Sequence, residues 1–241
     1  AREAAQVEAR TETPPLAIRP PPAFNGPWSE YAGRNLLQEN GVPLVPAELA
    51  RNAEDAVAAA ERLGYPVVLK ICAAEIAHKS DIGGVALNLH TPQAVRAAYE
   101  RVAAAGNGVK GANIEGVLVS PMRPRGVELF AGITVDPSFG PTLAVGLGGI
   151  WIETLKDVSL RVLPVSEAEI GSMLRSLRAS PLLEGARGGP KVDIVKAARA
   201  IHAISRAAVS LGPNLQALEV NPLWCAGDDV EALDALVVTS R

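Results

Sequence analysis

The sequence predicts an α+β protein in which antiparallel-looking clusters of strands lie beside helices. Three observations predict this class. Of the 241 residues, 48% are hydrophobic and 20% are charged, a balance typical of a globular chain with one large domain or two small ones. Helical patterns with capping residues recur along the chain. Short runs of β-branched or alternating apolar residues lie between them.

Five segments carry a helix-start signal, in which a Ser, Thr, Asn or Asp side chain can accept a hydrogen bond from the first turn. Thr91 precedes a proline that suits the first helical position, and Ser166 and Glu169 have the spacing of a capping box. The predicted helices run from Ser29 to near Asn40, from Asn52 to Gly64, from Thr91 to Gly106, from Ser166 through "IGSMLRSL", and from Asp193 through "IVKAARAIHAISRAAVSL".

Seven runs between these helices are rich in β-branched or alternating apolar residues, and we predict that they are strands. They are residues 66–71, 84–90, 116–120, 127–136, 142–147, 217–223 and 230–238. Strand clusters interspersed with helices predict helices packed beside sheets.

Residues 1–22 are predicted to be a proline-rich linker, because five prolines between Pro14 and Pro22 favour extended chain over packing. Such a linker, in a sequence that begins without Met, indicates a fragment or processed chain with a partner upstream. After the linker we predict two parts, residues 23–118 and residues 119–241.

Charge and composition exclude several classes of function. A net charge of −3 without a basic block does not predict a nucleic-acid groove or an anionic-membrane surface. Cys72 and Cys225 fit neither a disulfide framework nor a metal-ligand spacing, which indicates two reduced thiols. The most apolar stretch, residues 139–152, is too short to span a bilayer, and the first residues lack the apolar region of a secretory signal. We therefore expect a cytoplasmic protein.

Lys70 lies inside the short apolar strand "VVLKI". Burying an unpaired ammonium group is costly, so two interpretations are open. The side chain points to a solvated face of the strand, or it reaches into a cleft and holds a phosphate as a point charge.

The loop "IAHKSDIGGV" places His78 beside Lys79 shortly before a Gly-Gly pair. Lys79 and Ser80 can contact phosphate oxygens, and Gly83 and Gly84 let backbone amides approach closely, as in phosphate nests. The alternative is a charged hairpin loop that uses its glycines only for the turn.

Oxygen donors recur near the C-terminus. "LEVNPL" puts Glu219 and Asn221 on one face of a strand, and Asp234 follows on a probable neighbouring strand. Two or three such donors suit Mg²⁺, which bridges nucleotide phosphates. The alternative is an edge-strand pair with polar residues facing solvent.

A glycine-rich segment, "GLGGIWIETLKDVSLR", occupies residues 146–161. Gly146, Gly148 and Gly149 permit tight backbone near a ligand, and the charged residues Glu153, Lys156, Asp157 and Arg161 follow them. The spacing matches neither a Walker motif nor a Rossmann fingerprint.

Together these segments resemble the ATP-grasp domain of the ADP-forming acyl-CoA synthetases, relatives of the succinyl-CoA synthetase β subunit. The resemblance rests on the strand with Lys70, "HKSDIGGV", "GVELFAGITVDPSFGPTLAVGLGGIWIETLKDVSLR", "LLEGARG", "LEVNPL" and "LDA". It covers about residues 25–240 and implies an ATP-grasp fold, in which two α+β subdomains hold ATP or ADP and Mg²⁺ between their sheets. Residues 23–118 would include the smaller subdomain and residues 119–241 would form the larger.

The resemblance also implies residue roles. Residues 118–122, "LVSPM", would be the hinge strand beside adenine, where Ser120 departs from the Gln or Glu of many relatives. The nucleotide would be held by Lys70, Lys79, Ser80, Gly83, Gly84, Val119, Met122, Glu128 and Gly148. The metal ligands would be Glu219, Asn221 and Asp234. The catalytic residues would be His78, Lys79 and Arg161, with His78 either carrying a phosphoryl group or only hydrogen-bonding a phosphate.

Members of this family interconvert acyl-CoA, ADP and phosphate with free acid, CoA and ATP, and the phosphate travels on a histidine. The CoA-binding and main phosphohistidine modules are normally separate from the ATP-grasp domain, so the resemblance implies a partner domain or subunit. His90 and His202 are interpreted as structural. Two other functions stay open: a carboxylate–amine ligase with an ATP-grasp fold, and a non-catalytic nucleotide sensor.

Overall fold

The computed structural model describes residues 25–149 and 157–240. Its strands are β1 (Gly26–Pro27), β2 (Glu48–Ala50), β3 (Val67–Cys72), β4 (Val85–Leu89), β5 (Gly116–Pro121), β6 (Val127–Asp136), β7 (Gly140–Leu147), β8 (Val158–Val162), β9 (Leu215–Ala226), β10 (Asp229–Ala232) and β11 (Ala235–Thr239). Its helices are α1 (Glu30–Glu39), α2 (Ala53–Leu63), α3 (Pro92–Asn107), α4 (Glu167–Ser176), α5 (Ser180–Leu183) and α6 (Ile194–Ser210). The predicted linker, residues 1–22, lies outside the described residues.

The larger sheet is antiparallel and has the order β1-β11-β9-β6-β7-β8, with β10 also paired to β9. Helix α6 packs on β9 and β6, and α4 packs on α6. Their apolar faces form one core, which includes Leu129, Ile133, Leu143, Ile201 and Ile204. Burial of these faces explains why the sequence alternates along the strands and follows a helical period in α6.

The smaller sheet is also antiparallel, with the order β2-β5-β3-β4. Helices α2 and α3 pack on it and on each other, and its core includes Leu69, Ile71 and Val117. Every residue of β3 is buried except Lys70, which is half-buried. The core therefore fixes β3 firmly and leaves Lys70 to project from it.

The first described residues belong to the larger sheet. Gly26 and Pro27 pair with β11, and the Trp28 amide donates to the Val237 carbonyl at 2.8 Å. Helix α1 then packs on β11, where a Cβ on Gly33 would lie 3.2 Å from a Val237 methyl group. The two-part division at residues 118/119 stays a prediction. In the structure this point falls inside β5, and residues 26–39 associate with the larger sheet.

All five predicted helices are present, and each is capped by the predicted residue: Ser29, Asn52, Thr91, Ser166 and Asp193. One strand prediction is wrong. Residues 230–238 form two strands, β10 and β11, because the chain breaks at Leu233 and Asp234, where the Leu233 amide donates to the Pro222 carbonyl at 2.9 Å. Strands β1, β2 and β8 were not predicted. No helix in the described chain is long and apolar enough to cross a membrane, and Cys72 and Cys225 are buried free thiols.

Candidate functional site

A cavity of about 440 Å³ lies where the two sheets face each other. The smaller sheet and the loop after β3 contribute His78 and Lys79 to its wall. The larger sheet contributes Glu219, Asn221 and Asp234. Two of the predicted catalytic residues and all three predicted metal ligands therefore line one cavity, although they are far apart in sequence.

Three side chains that line this cavity, Glu30, Lys79 and Asp234, form with Lys70 what we call the lysine–carboxylate cluster. Lys79 Nζ lies 3.0 Å from Glu30 Oε2 and 3.1 Å from Asp234 Oδ1. Lys70 Nζ lies 3.4 Å from Glu30 Oε1 and 3.2 Å from Asp234 Oδ2. Each lysine therefore bridges the same two carboxylates, and together they join the smaller sheet to the larger one.

The position of Lys70 excludes one of its two interpretations. Its side chain is only 14% exposed, and Nζ donates to the Leu233 carbonyl at 2.7 Å as well as to the two carboxylates. The side chain therefore does not lie on a solvated face. It crosses from β3 to the break between β10 and β11, where its charge is compensated in the cluster.

Lys79 is held by a short 3₁₀ turn, Lys79–Ile82. The turn closes through the Gly83 amide, which donates to the Ser80 carbonyl at 3.1 Å, and the Gly84 amide, which donates to the Lys79 carbonyl at 2.8 Å. Gly83 has a φ of +74°, and a Cβ on Gly84 would lie 2.6 Å from an Ile71 methyl group. In this structure both amides are used to close the turn, which differs from the expected direct contact with phosphate.

The environment shifts the pKa values of the cluster. Burial alone would raise the pKa of Asp234, but the charges of Lys70 and Lys79 outweigh it and hold that pKa at about 2. Burial alone would lower the pKa of Lys79, but Glu30 and Asp234 outweigh it and raise that pKa. Burial raises the pKa of Glu30, and Lys70 acts in the opposite direction. Asp234 is thus held as a carboxylate by its two lysines.

The predicted metal ligands share a wall with the glycine-rich segment. The Asn221 side-chain oxygen accepts from the Gly149 amide at 3.0 Å, and the Asn221 amide group donates to Glu219 at 3.4 Å. A Cβ on Gly148 would lie 3.0 Å from the Asn221 side-chain oxygen and 2.6 Å from the Leu129 carbonyl oxygen. The glycine allows the backbone to lie this close to β6 and to the Asn221 side chain.

Glu219, Asn221 and Asp234 fit a magnesium ion by their chemistry, because all three offer hard oxygen donors to one cavity. Within residues 25–149 and 157–240 there is no group of three or more His, Cys, Asp or Glu side chains arranged to hold a metal. Burial raises the pKa of Glu219, opposed by its hydrogen bond from Asn221, and Asp234 is engaged by two lysines. A metal ion at Asp234 would compete with those two lysines for its carboxylate oxygens.

Arg161 is not at the cavity. It is exposed on β8, pairs across the sheet with Leu143, and its guanidinium donates to the Leu160 carbonyl at 2.7 Å. Because β8 runs antiparallel to β7, Arg161 lies three residues along the strand from the residue opposite Gly146, a distance of about 10 Å. Asp157 accepts from the amides of Arg178 and Ala179, a structural role, and the predicted charged residues Glu153 and Lys156 lie outside the described residues.

The remaining predicted nucleotide residues do not line the cavity. Val119 is buried on β5, and the Met122 amide donates to the Pro66 carbonyl at 2.8 Å. Ser80 and Glu128 are exposed, and a Cβ on Gly149 would lie within 2.4 Å of a Glu128 carboxylate oxygen. Their nucleotide contacts stay predictions.

Glu30 was missed by the sequence analysis. Its side chain is only 2% exposed, and it faces both lysines. In sequence it is an acidic residue in the first turn of a helix capped by Ser29, a position where a carboxylate is favoured by the helix dipole alone. Only the burial of that turn distinguishes Glu30 from an ordinary first-turn carboxylate. This burial results from the packing of α1 against β11, which the local sequence does not reveal.

The chain was compared with known proteins. A family model described as an ATP-grasp domain matches residues 26–239. The chain is 37% identical to the β subunit of acetate–CoA ligase (ADP-forming) I from Pyrococcus furiosus, over 90% of this chain and 93% of that subunit. It is 40% identical to the 4-hydroxybutyrate–CoA ligase (ADP-forming) of Nitrosopumilus maritimus, over 80% of this chain but only 28% of that longer protein.

Solved structures agree with these matches. A dinucleotide-forming acetyl-coenzyme A synthetase from Ca. Korarchaeum cryptofilum, solved with coenzyme A and Ca-AMPCP, superposes with a TM-score of 0.82 at 35% identity, over 89% of this chain and 93% of that chain. The same protein with Mg-AMPPCP and its phosphohistidine segment pointing towards the nucleotide-binding site gives a TM-score of 0.74 at 33% identity, over 88% and 92% of the two chains.

The pKa of Asp234 leads to a prediction about acid stability. Its value of about 2 lies below the ordinary 3.8, so its ion pairs stabilise the fold above about pH 4 and this contribution is lost as the pH falls towards 2. The shift corresponds to about 2 kcal/mol. Asp234→Asn should therefore lower the free energy of unfolding at pH 6, and its difference from the wild type should shrink towards pH 3. Urea unfolding across this range measures the difference.

Asp229→Asn, an exposed substitution of the same kind on β10, serves as the control and should follow the wild type throughout. A gap between Asp234→Asn and the wild type that stays constant from pH 6 to pH 3 would contradict the charged pairing of Asp234.

Proposed function

The chain belongs to the family of ATP-grasp domains that includes the β subunits of the ADP-forming acetate–CoA ligases, and from this premise we propose that it is the nucleotide-binding and phosphoryl-transfer module of an ADP-forming acyl-CoA synthetase. The family predicted from the sequence is thereby confirmed. The observation that carries the proposal is the convergence of His78, Lys79 and the three oxygen donors Glu219, Asn221 and Asp234 on one cavity.

In this proposal the lysines and the oxygen donors divide the work on the nucleotide. Lys79 presents its ammonium group at the cavity, and the Lys70 ammonium group lies beside it on Asp234; both would hold phosphate oxygens as point charges. Glu219, Asn221 and Asp234 would hold Mg²⁺, which supplies charge neutralisation for the phosphates when it is bound. Positioning and charge stabilisation are the main demands of phosphoryl transfer, and both are met by these side chains.

His78 is the group in the cavity wall suited to accept the phosphoryl group. It lies at the start of the Lys79 turn and is exposed to the cavity. A neutral imidazole nitrogen attacks the terminal phosphorus of ATP, a P–N bond forms, the P–O bond to ADP breaks, and ADP leaves. Lys79 next to it reduces the charge that builds on the transferring group.

The proposed module acts with a CoA-binding and phosphohistidine-carrying partner. The Pyrococcus furiosus relative is a separate β subunit of nearly the same length, whereas this chain spans less than a third of the longer relatives. Either arrangement, a separate subunit or a fused domain, supplies the acyl-CoA chemistry from outside this chain. The two buried free thiols support the expected cytoplasmic location.

The first prediction concerns the chain on its own. It should bind Mg·ADP and Mg·ATP, measured by calorimetry, and it should form no thioester in a coupled assay until the partner module is added. Asp234→Asn and Asn221→Ala should each weaken Mg·ADP binding about tenfold or more, because the first removes the negative charge of one ligand and the second removes one oxygen donor.

Asp229→Asn should bind as the wild type does. Thioester formation by the purified chain alone would refute its role as a partial enzyme, and unchanged Mg²⁺ dependence in both variants would place the metal elsewhere. Binding of nucleotide without phosphoryl transfer after the partner is added would favour the sensor function.

The second prediction concerns His78. In the reassembled enzyme, His78→Ala and His78→Gln should lower acyl-CoA-dependent ATP synthesis about 100-fold or more, the effect expected when a group that acts in the transition state is removed. Acid-labile phosphate transferred from labelled ATP to this chain should disappear in both variants.

His90→Gln, an exposed histidine after β4, is the matched control and should leave both measurements unchanged. Full ATP synthesis in both His78 variants would show that the loop only binds phosphate.

A further inference from the structure

Glu30 and Asp234 are not equivalent members of the lysine–carboxylate cluster. The Glu30 side chain is 2% exposed and the Asp234 side chain is 27% exposed. Both contact the same two lysines, yet only Asp234 has part of its surface open to a ligand. An incoming ion can therefore reach Asp234 while Glu30 stays enclosed.

The backbone around each carboxylate reinforces this difference. Glu30 is in the first turn of α1, where the Ser29 hydroxyl accepts from the Ala32 amide at 3.3 Å and the helix is seated on β11 through Gly33. Asp234 lies in the short connection between β10 and β11, outside the strand ladders. Glu30 is thus fixed within a packed helix, and Asp234 lies in a connection between strands, where the neighbouring Leu233 amide donates to the Pro222 carbonyl.

The two lysines contact Glu30, and Arg34 interacts with it electrostatically. Arg34 lies one turn further along α1, is 8% exposed, and donates from its guanidinium to the Val45 carbonyl. A buried lysine without a counter-charge is strongly disfavoured. If Asp234 were the sole partner of Lys70 and Lys79, moving it to a metal ion would leave both ammonium groups unpaired until the phosphates arrived.

We propose that Glu30 is the standing counter-charge of Lys70 and Lys79, which frees Asp234 to exchange its two lysine partners for a metal ion when nucleotide binds. This inference rests on the proposed function of the cavity. Glu30 is a positioning residue, because it acts through the lysines and Asp234 and does not touch the nucleotide. Lys70 and Lys79 then turn from Asp234 to the phosphates while keeping their contacts with Glu30.

The test compares ADP binding with EDTA and with Mg²⁺ by calorimetry, in the wild-type chain and in Glu30→Gln. Gln has the shape of Glu without its charge. The variant should bind metal-free ADP about threefold or more tightly, because the site gains one net positive charge. Its gain in ADP affinity on adding Mg²⁺ should fall about tenfold or more, because both lysines now hold Asp234. Glu39→Gln, the same change at the exposed end of α1, should match the wild type.

A purely structural role of Glu30 would weaken ADP binding by the same factor with and without Mg²⁺, and that result overturns the inference. The inference is also overturned if adding Mg²⁺ raises the ADP affinity of Glu30→Gln as much as that of the wild type. That result would mean that Glu30 carries no charge in the wild type and already behaves like Gln. If Glu30→Gln does not fold, Glu30→Asp is the deciding variant, because it keeps the negative charge. Its increase in ADP affinity on adding Mg²⁺ should stay within about threefold of the wild type. Loss of that increase in a folded Glu30→Asp protein overturns the inference. Absence of ADP binding in the wild type would instead refute the proposed function, and the inference with it.

Discussion

The ion pairs among Glu30, Lys70, Lys79 and Asp234 are the contact on which the site depends. Burying an ammonium or a carboxylate is costly, and pairing offsets the cost only when distances and hydrogen bonds are good. Here each lysine reaches both carboxylates at 3.0 to 3.4 Å. This requires four separate elements to be placed correctly: β3, the Lys79 turn, the start of α1, and the break between β10 and β11.

The same requirement explains several local features. Ser29 starts α1 at the residue that puts Glu30 into the cavity, and Gly33 lets that helix approach β11. Gly84 lets the Lys79 turn lie against Ile71 of β3. Asp234 interrupts what would otherwise be one strand, and its own side chain accepts from the Ala235 amide at 2.8 Å, which starts β11. Capping, close packing and strand breaking thus serve one arrangement of charges.

Local signals in the sequence were sufficient to predict the capped helices and the segments that form the site. The five capped helices could be predicted because capping involves residues only two or three positions apart, and the site segments could be recognised by their order along the chain. Long-range pairing could not be predicted in the same way. Glu30 looked like an ordinary first-turn carboxylate, and Arg161 was placed with the glycines beside it in sequence, although the return of β8 carries it away. The break at Asp234 was hidden in a run of alternating apolar residues, because the Leu233 amide at the break donates to the carbonyl of Pro222, which lies on another strand.

The central claim is that nucleotide binding exchanges the partners of Asp234 while Glu30 keeps both lysines. A crystal structure of the chain with Mg·ADP measures this most directly. The account predicts metal-bound Asp234, Lys70 and Lys79 on phosphate oxygens, and both ammonium groups still within hydrogen-bonding distance of Glu30. A complex in which both lysines remain on Asp234, or in which they leave Glu30 to reach the phosphates, would contradict it.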